Sequence, residues 1–210
     1  MKLFHVDASA KREWSNSRAL SRHFIDLLKQ QRPDVEVDYL DVSVDTPAHV
    51  DELFTIATYT PEADRTPAMK QALQASDALC ARLLAADAYV FAMPMYNFSM
   101  PSSFKAFIDN IVRTNLTYKI GEDGSYVGQL ADKVLFITTR GADLRPGTPF
   151  SAMDALTPAL RAAFGFMGVA APTFVDAQPL TFSAAEEREA ALVRAKAELA
   201  AVAGEWAATR

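Results

Sequence analysis

"MPMYNFSMP" at Met93–Pro101 follows the apolar run Ala88-Tyr89-Val90-Phe91-Ala92. A run of that length and character is read as a central parallel strand, covered on both faces. A plain connecting loop would be small and polar. This one carries three methionines, two aromatic residues, two prolines and an asparagine. Pro94 and Pro101 brace it on either side. Behind it, Pro101–Arg113 reads as a helix, because Phe104, Phe107, Ile108, Ile111 and Val112 recur at helical spacing. A buried strand, a shaped loop and an amphipathic helix predict an α/β fold with a site where the strand ends.

The same alternation extends outward in both directions. Leu3–Val6 is a short strand, and Ser17–Gln31 a helix with Leu20, Phe24 and Leu27/Leu28 on one face. Val35–Val42 alternates as an edge strand does. Ser43–Arg65 is polar and irregular, with a short helix expected near His49–Tyr59. Thr66 and Pro67 open a helix that runs to about Ala86, with Leu73, Leu79/Cys80 and Leu83/Leu84 inward. Thr117–Tyr118 and Tyr126–Val127 flank the turn Gly121–Gly124 and predict a small hairpin. Lys133–Thr139 is another strand, Thr157–Phe166 a helix ending by Gly168, and Pro172–Ala177 the last strand. Ser183–Glu186 has the spacing of a capping box that opens the C-terminal helix.

Five strands with helices between them predict a doubly wound five-stranded parallel sheet with helices on both faces. The expected organisation is one domain over residues 1–210, with excursions at about 43–65 and 114–130. In such sheets ligands bind at the carboxyl ends of the strands, near the point where strand order reverses.

Composition excludes several classes. The chain has 210 residues, half of them hydrophobic, and a formal net charge of −5. It has no basic stripe for nucleic acid and no run of about 18 apolar residues for a membrane span. The apolar part of MKLFHVDASA is too brief for a signal peptide. Cys80 is the single cysteine, so no intrachain disulfide forms and a cytoplasmic location is expected. Its helical setting suggests a buried structural thiol. His5 lies in a strand and His23 in a helix, where histidines are usually structural. No Cys/His cluster has metal spacing, so no metal is expected.

Three loops remain as the site. The first, Ser9–Ser17, lacks GxGxxG and GxxxxGK[ST], which disfavours a dinucleotide or nucleoside triphosphate. It is rich in hydroxyls and enters a helix N-terminus, where free N–H groups and the helix dipole favour a phosphate. Ser15, Asn16 and Ser17 could complete that cradle, with Ser9 reaching in from the strand end. Ordinary N-capping is the plainer account of this loop taken alone. The middle loop shifts the balance. Asn97 offers both a donor and an acceptor, while Met95, Tyr96 and Phe98 offer flat or soft apolar surface. An isoalloxazine ring, apolar at one end and rich in N–H and C=O at the other, suits such a loop. In the last loop, Thr139, Arg140, Gly141 and Ala142 could donate to the N1/O2 side of that ring. A simple strand-end turn explains this piece equally well.

Taken together, these stretches resemble the FMN-dependent NADH-azoreductase family within the flavodoxin-like quinone oxidoreductases. The resemblance is sharpest at "PMYNF" (Pro94–Phe98) and continues through Phe104, Lys105 and Asp109, "TxRG" at Thr139–Gly141 and "FGFMG" at Phe164–Gly168. It implies a flavodoxin-like fold and bound FMN, held by Ser9, Ser15, Asn16, Ser17, Met95, Tyr96, Asn97, Phe98, Thr139, Arg140, Gly141 and Ala142. NADH or NADPH would be the donor and a quinone or azo compound the acceptor, in two half-reactions at one place. The chemistry would lie on the cofactor, with no catalytic side chain; Asn97, Tyr118 and Phe164 are candidate substrate contacts, with Phe166 beside them. Family members are homodimers. Family segments often carry glycine where Ala142 stands, at the rim that meets substrate. Rival readings are a flavodoxin-like electron carrier, an NAD(P)H:flavin reductase, a hydrolase of carrier-protein esters and a receiver domain. The last two lack, respectively, a base near Ser99, Ser102 and Ser103 and an acidic cluster beyond Asp7.

Overall fold

Alternation within the strands decides the layering. In β3 (Ala88–Pro94), successive side chains face opposite ways. Tyr89, Phe91 and Met93 join one core, whereas Ala88, Val90 and Ala92 join another. Both sides of this strand are therefore buried, which is why its sequence shows no polar alternation. The computed structural model describes residues 1–208.

Its main sheet contains β1 (Lys2–Asp7), β2 (Glu36–Asp41), β3, β6 (Val134–Thr139) and β7 (Thr173–Ala177). Their order is β2-β1-β3-β6-β7, and every pairing is parallel. The predicted doubly wound sheet is thus observed, with β2 at the edge. Helices α3 (Pro67–Leu84), α4 (Ser102–Ile111) and α5 (Leu156–Phe166) contribute to the first core. There Phe91 meets Phe104, Phe107, Phe136 and Phe164 at ring separations of 5.7, 6.1, 5.4 and 4.7 Å. Helices α1 (Asn16–Gln31) and α6 (Ala185–Ala208) close the second core, where Phe24 packs edge-on against Trp206.

Register brings the functional ends level. Asp7 pairs with Ala92 and Asp41, while Pro94 pairs with Thr139 and Thr139 with Ala177. β1 and β3 each run further toward the site than expected, to Asp7 and Pro94.

The first excursion contains α2 (Glu52–Tyr59), capped by Asp51. The second contains the expected hairpin, β4 (Tyr118–Ile120) and β5 (Tyr126–Gly128), paired antiparallel. A Cβ on Gly128 would lie 2.0 Å from the backbone of Met167 and Gly168, so only glycine lets the hairpin seat there. The capping box of α6 is shifted. Ala184 N–H donates to the Glu187 carboxylate at 3.2 Å, whereas the Ser183 hydroxyl bonds Pro179 C=O. The acidic residue one position later has the reach that Glu186 lacks. Leu84 is exposed rather than inward.

Among the described residues no helix is long and apolar enough to cross a membrane, and no group of three potential metal ligands converges. Cys80 is buried against the Asn110 and Ile111 carbonyls, and burial pushes its thiol up to about 11.

Candidate functional site

The sheet order reverses between β1 and β3, so their outgoing connections diverge and leave a crevice at the strand tips. A cleft of about 150 Å³ lies there, lined in part by Ser9, Ser15, Asn16, Met95, Tyr96, Thr139 and Gly141. Residues from three separate loops are thereby brought together. The volume is below the roughly 300–1,000 Å³ typical of ligand pockets, so the cleft takes in only part of a ligand of that size. A larger hollow of about 820 Å³ flanks α1 and β2, where Arg18 pairs with Asp41 at 2.7 Å and with Asp7 at 3.5 Å.

Ser15 caps α1, accepting the Arg18 amide at 3.4 Å, and its hydroxyl lies 3.1 Å from that of Ser17. Capping and phosphate binding are compatible here. The cap uses the Arg18 amide and leaves the Asn16 and Ser17 N–H groups without protein acceptors among the described residues. Ser9 and Ser17 are buried and Asn16 is exposed.

The middle loop is a tight turn. Tyr96 and Ser99 exchange backbone hydrogen bonds of 2.9 and 3.0 Å. Asn97 and Phe98 between them have φ of 48° and 70°, the pattern of a type I′ turn. Asparagine tolerates that conformation, but phenylalanine there is strained by roughly 1–3 kcal/mol. Such strain is found where a site demands a particular loop shape. The turn is anchored at Met95, whose N–H donates to Thr139 C=O at 2.8 Å, and at Phe98 C=O, which accepts from Ala155 at 3.0 Å. Met95 and Tyr96 are half-buried, while Asn97 and Phe98 are exposed.

The last loop corrects one expectation. Arg140 lines the cleft, but its amide donates to Ala177 C=O at 3.0 Å and is not a free donor. Its buried side chain meets Asp176 at 2.6 Å, Asp154 at 3.1 Å and Thr157 at 2.7 Å. Arg140 therefore fastens the loop to α5 and β7. The amides of Gly141 and Ala142 have no protein acceptor among the described residues. Burial would raise the Asp154 carboxyl, but bonds from Thr157 and Leu156 and the Arg140 charge hold it below the usual range.

Sequence reasoning missed the segment after β7. Leu180, Thr181 and Phe182 donate their amides to the Gly141 carbonyl at 3.2, 3.0 and 2.9 Å. Leu180 and Thr181 line the cleft. A Cβ on Gly141 would meet Thr181 at 3.2 Å and the Phe182 ring at 3.3 Å.

The aromatic roof is also corrected. Phe164 is fully buried, 5.0 Å from the Phe136 ring, and does not line the cleft. Its partner Phe166 is partly exposed and packs instead with Tyr118 and Tyr126, at 4.6 and 5.0 Å. Two positions apart on α5, the two rings project about 200° from each other around the helix. Tyr118 is largely buried, its hydroxyl 2.5 Å from Thr114 Oγ1, and it is not a wall of the cleft.

The profile of a family described by its flavodoxin-like fold matches residues 1–203. An FMN-dependent NADH:quinone oxidoreductase 1 from Trichormus variabilis is 44% identical over 98% of this chain and 97% of its own. A second from that organism is 40% identical, over 97% and 99%. An azoreductase structure from Bacillus anthracis str. Sterne superposes with a TM-score of 0.89, at 23% identity, over 98% of this chain and 99% of its own. An FMN-dependent NADH-azoreductase from Bacillus anthracis str. Ames Ancestor, in complex with FMN, gives 0.85 at 23% identity and the same coverage. The two structures share the fold; the full-length identity with the oxidoreductases reaches further. The chain belongs to the flavodoxin-like quinone oxidoreductase family.

Proposed function

We propose that this protein is an FMN-dependent NAD(P)H:quinone oxidoreductase that also accepts aromatic azo compounds. The observation that carries the reading is the convergence of three donor sets on one cleft. Free helix N-terminal amides at Asn16 and Ser17 suit a phosphate. The left-handed turn at Asn97–Phe98 suits a ring edge, and the open amides of Gly141 and Ala142 suit its electron-rich side. The names of the Trichormus relatives support FMN, NADH and quinone, and the FMN complex of the Bacillus neighbour supports the flavin.

FMN, when bound, supplies the two-electron hydride chemistry. The chain's own part is to bind and orient. Ser9, Ser15, Asn16 and Ser17 hold the phosphate end. Met95, Tyr96, Asn97 and Phe98 would hold the ring edge, and Thr139, Gly141 and Ala142 would donate to its polar side. The nicotinamide donor and the acceptor would occupy the same place in turn, which would make the kinetics ping-pong.

Residues 1–210 are proposed to act as one unit and to form a homodimer. The exposed Ile120, Tyr126 and Val127 on the hairpin support a partner. The single, buried Cys80 supports a cytoplasmic setting.

The test is a visible spectrum of the purified protein, followed by NADH oxidation with a soluble quinone. Flavin bands and quinone-dependent turnover are expected. A protein that stays colourless with excess FMN overturns the reading. Bound flavin without NADH oxidation favours the electron carrier, and release of reduced free flavin favours the flavin reductase.

A further inference from the structure

Arg18 lies in the first turn of α1 and is buried. Its side chain turns back under the loop that precedes the helix. Nη2 donates to Ser9 C=O at 2.7 Å and Nε to Lys11 C=O at 3.0 Å. Across the guanidinium, Asp41 lies at 2.7 Å, the Ser43 hydroxyl at 2.9 Å and the Tyr39 hydroxyl at 3.2 Å. The Tyr39 hydroxyl in turn donates a hydrogen bond to Asp7 at 3.0 Å. Asp7 and Asp41 end two adjacent strands, so a single guanidinium ties the loop to the tips of β1 and β2.

This has a consequence for peptide orientation. In a trans peptide the C=O and the following N–H point in opposite directions. A grip on the Ser9 and Lys11 carbonyls therefore turns the Ala10 and Arg12 N–H groups away from Arg18. Neither has a protein acceptor among the described residues. Ser9 and Lys11 themselves line the strand-tip cleft.

We propose that Arg18 is a positioning residue that holds this loop with its amides turned toward a phosphate, without touching the ligand. The inference rests on the reading of the cleft as an FMN site. The arginine charge is matched locally. Burial would raise the Asp7 carboxyl, but His5, Ser21 and Arg18 hold it below the usual range. Asp41 is held down likewise by Arg18 and Ser43. Burial and the neighbouring Asp7 push the Tyr39 phenol up to about 12, so it stays a neutral donor. The effect of Arg18 is thus geometric, and it serves only a ligand that bears a phosphate.

The full-length protein, freed of cofactor, is titrated with FMN and with riboflavin, following flavin fluorescence. Arg18→Gln and Arg18→Lys are expected to lose at least about tenfold in FMN affinity, since neither can fork to both carbonyls and both carboxylates. Riboflavin affinity should change less than about twofold, because that ligand lacks the anion the amides receive. Equal losses for both ligands, or an unchanged FMN affinity, overturn the inference. Should the Arg18 variants not fold, Tyr39→Phe and Asp41→Asn decide it. Each loosens the clamp from outside the loop and should lower the FMN-to-riboflavin affinity ratio by about two- to fivefold; an unchanged ratio overturns the proposal. A parent protein that binds riboflavin as tightly as FMN overturns the phosphate reading itself, whereas a parental preference that survives in every variant overturns the role of Arg18 alone.

Discussion

Met95 N–H and Thr139 C=O meet at 2.8 Å, so the loop after β3 is hung directly from the last residue of β6. Two of the three walls of the cleft are therefore tied together. The turn beyond that bond supplies the first prediction. Phe98→Gly removes an aromatic side chain from a left-handed position. It should raise unfolding stability by about 1 kcal/mol, the strain relieved less the entropy of glycine, while FMN binding weakens. Urea midpoints and flavin titration read the two effects separately.

Asn97→Ala is expected to weaken FMN binding about tenfold and slow flavin reduction, by loss of the amide and of easy left-handed backbone. Asn97→Gly keeps the backbone and loses only the amide. If both variants bind FMN as the parent does, Asn97 has no ring-edge role.

Gly141→Ala places a methyl 3.2 Å from Thr181 and 3.3 Å from the Phe182 ring. Overpacking of this kind costs about 1–3 kcal/mol. Phe182 is 79% exposed and free to swing aside, but Thr181 is held by its amide. Gly141→Ala should therefore weaken FMN binding, with Thr181→Ala restoring part of it. Titration of the single and double variants checks this.

Acid should destabilise the fold. Asp7, Asp41 and Asp154 all have carboxyls held below their ordinary value. The unfolded chain then binds protons more readily, so their stabilisation is complete above about pH 4 and is lost as pH falls through the folded values. Asp154→Asn should be less stable than the parent at pH 7, because Arg140 loses one of its two carboxylates. That gap should narrow by pH 3.5, as measured from urea midpoints.

Arg140→Met tests the buried ion pairs directly. Removing one member of such a cluster costs about 3–5 kcal/mol when the remaining charges stay buried. Asp154 and Asp176 keep some solvent access, which places the expected loss at the low end. Thermal unfolding measures it.

Much of this was legible in the sequence. The five-residue apolar run at Ala88–Ala92, the helical spacing from Phe104 to Val112 and the Thr66-Pro67 start each report local physics: two-sided burial, one-sided burial and a capped first turn. Such patterns repeat along the chain, so the doubly wound sheet followed from them. The three loops were also legible, because each sits between a strand and a helix.

What the sequence could not assign was the use of individual groups within those loops. Arg140 looks like a ligand contact, yet Asp154 and Asp176 approach it from distant segments and make it an anchor. Phe164 and Phe166 stand two apart in one motif, but the sheet covers the first and leaves the second to the hairpin. Leu180 and Thr181 carry no signal and reach the cleft only because β7 lies beside β6. Periodicity and turn chemistry are local and are written into neighbouring residues; the pairing of a charge, the covering of a ring and the closing of a cleft depend on chain segments that meet only in three dimensions.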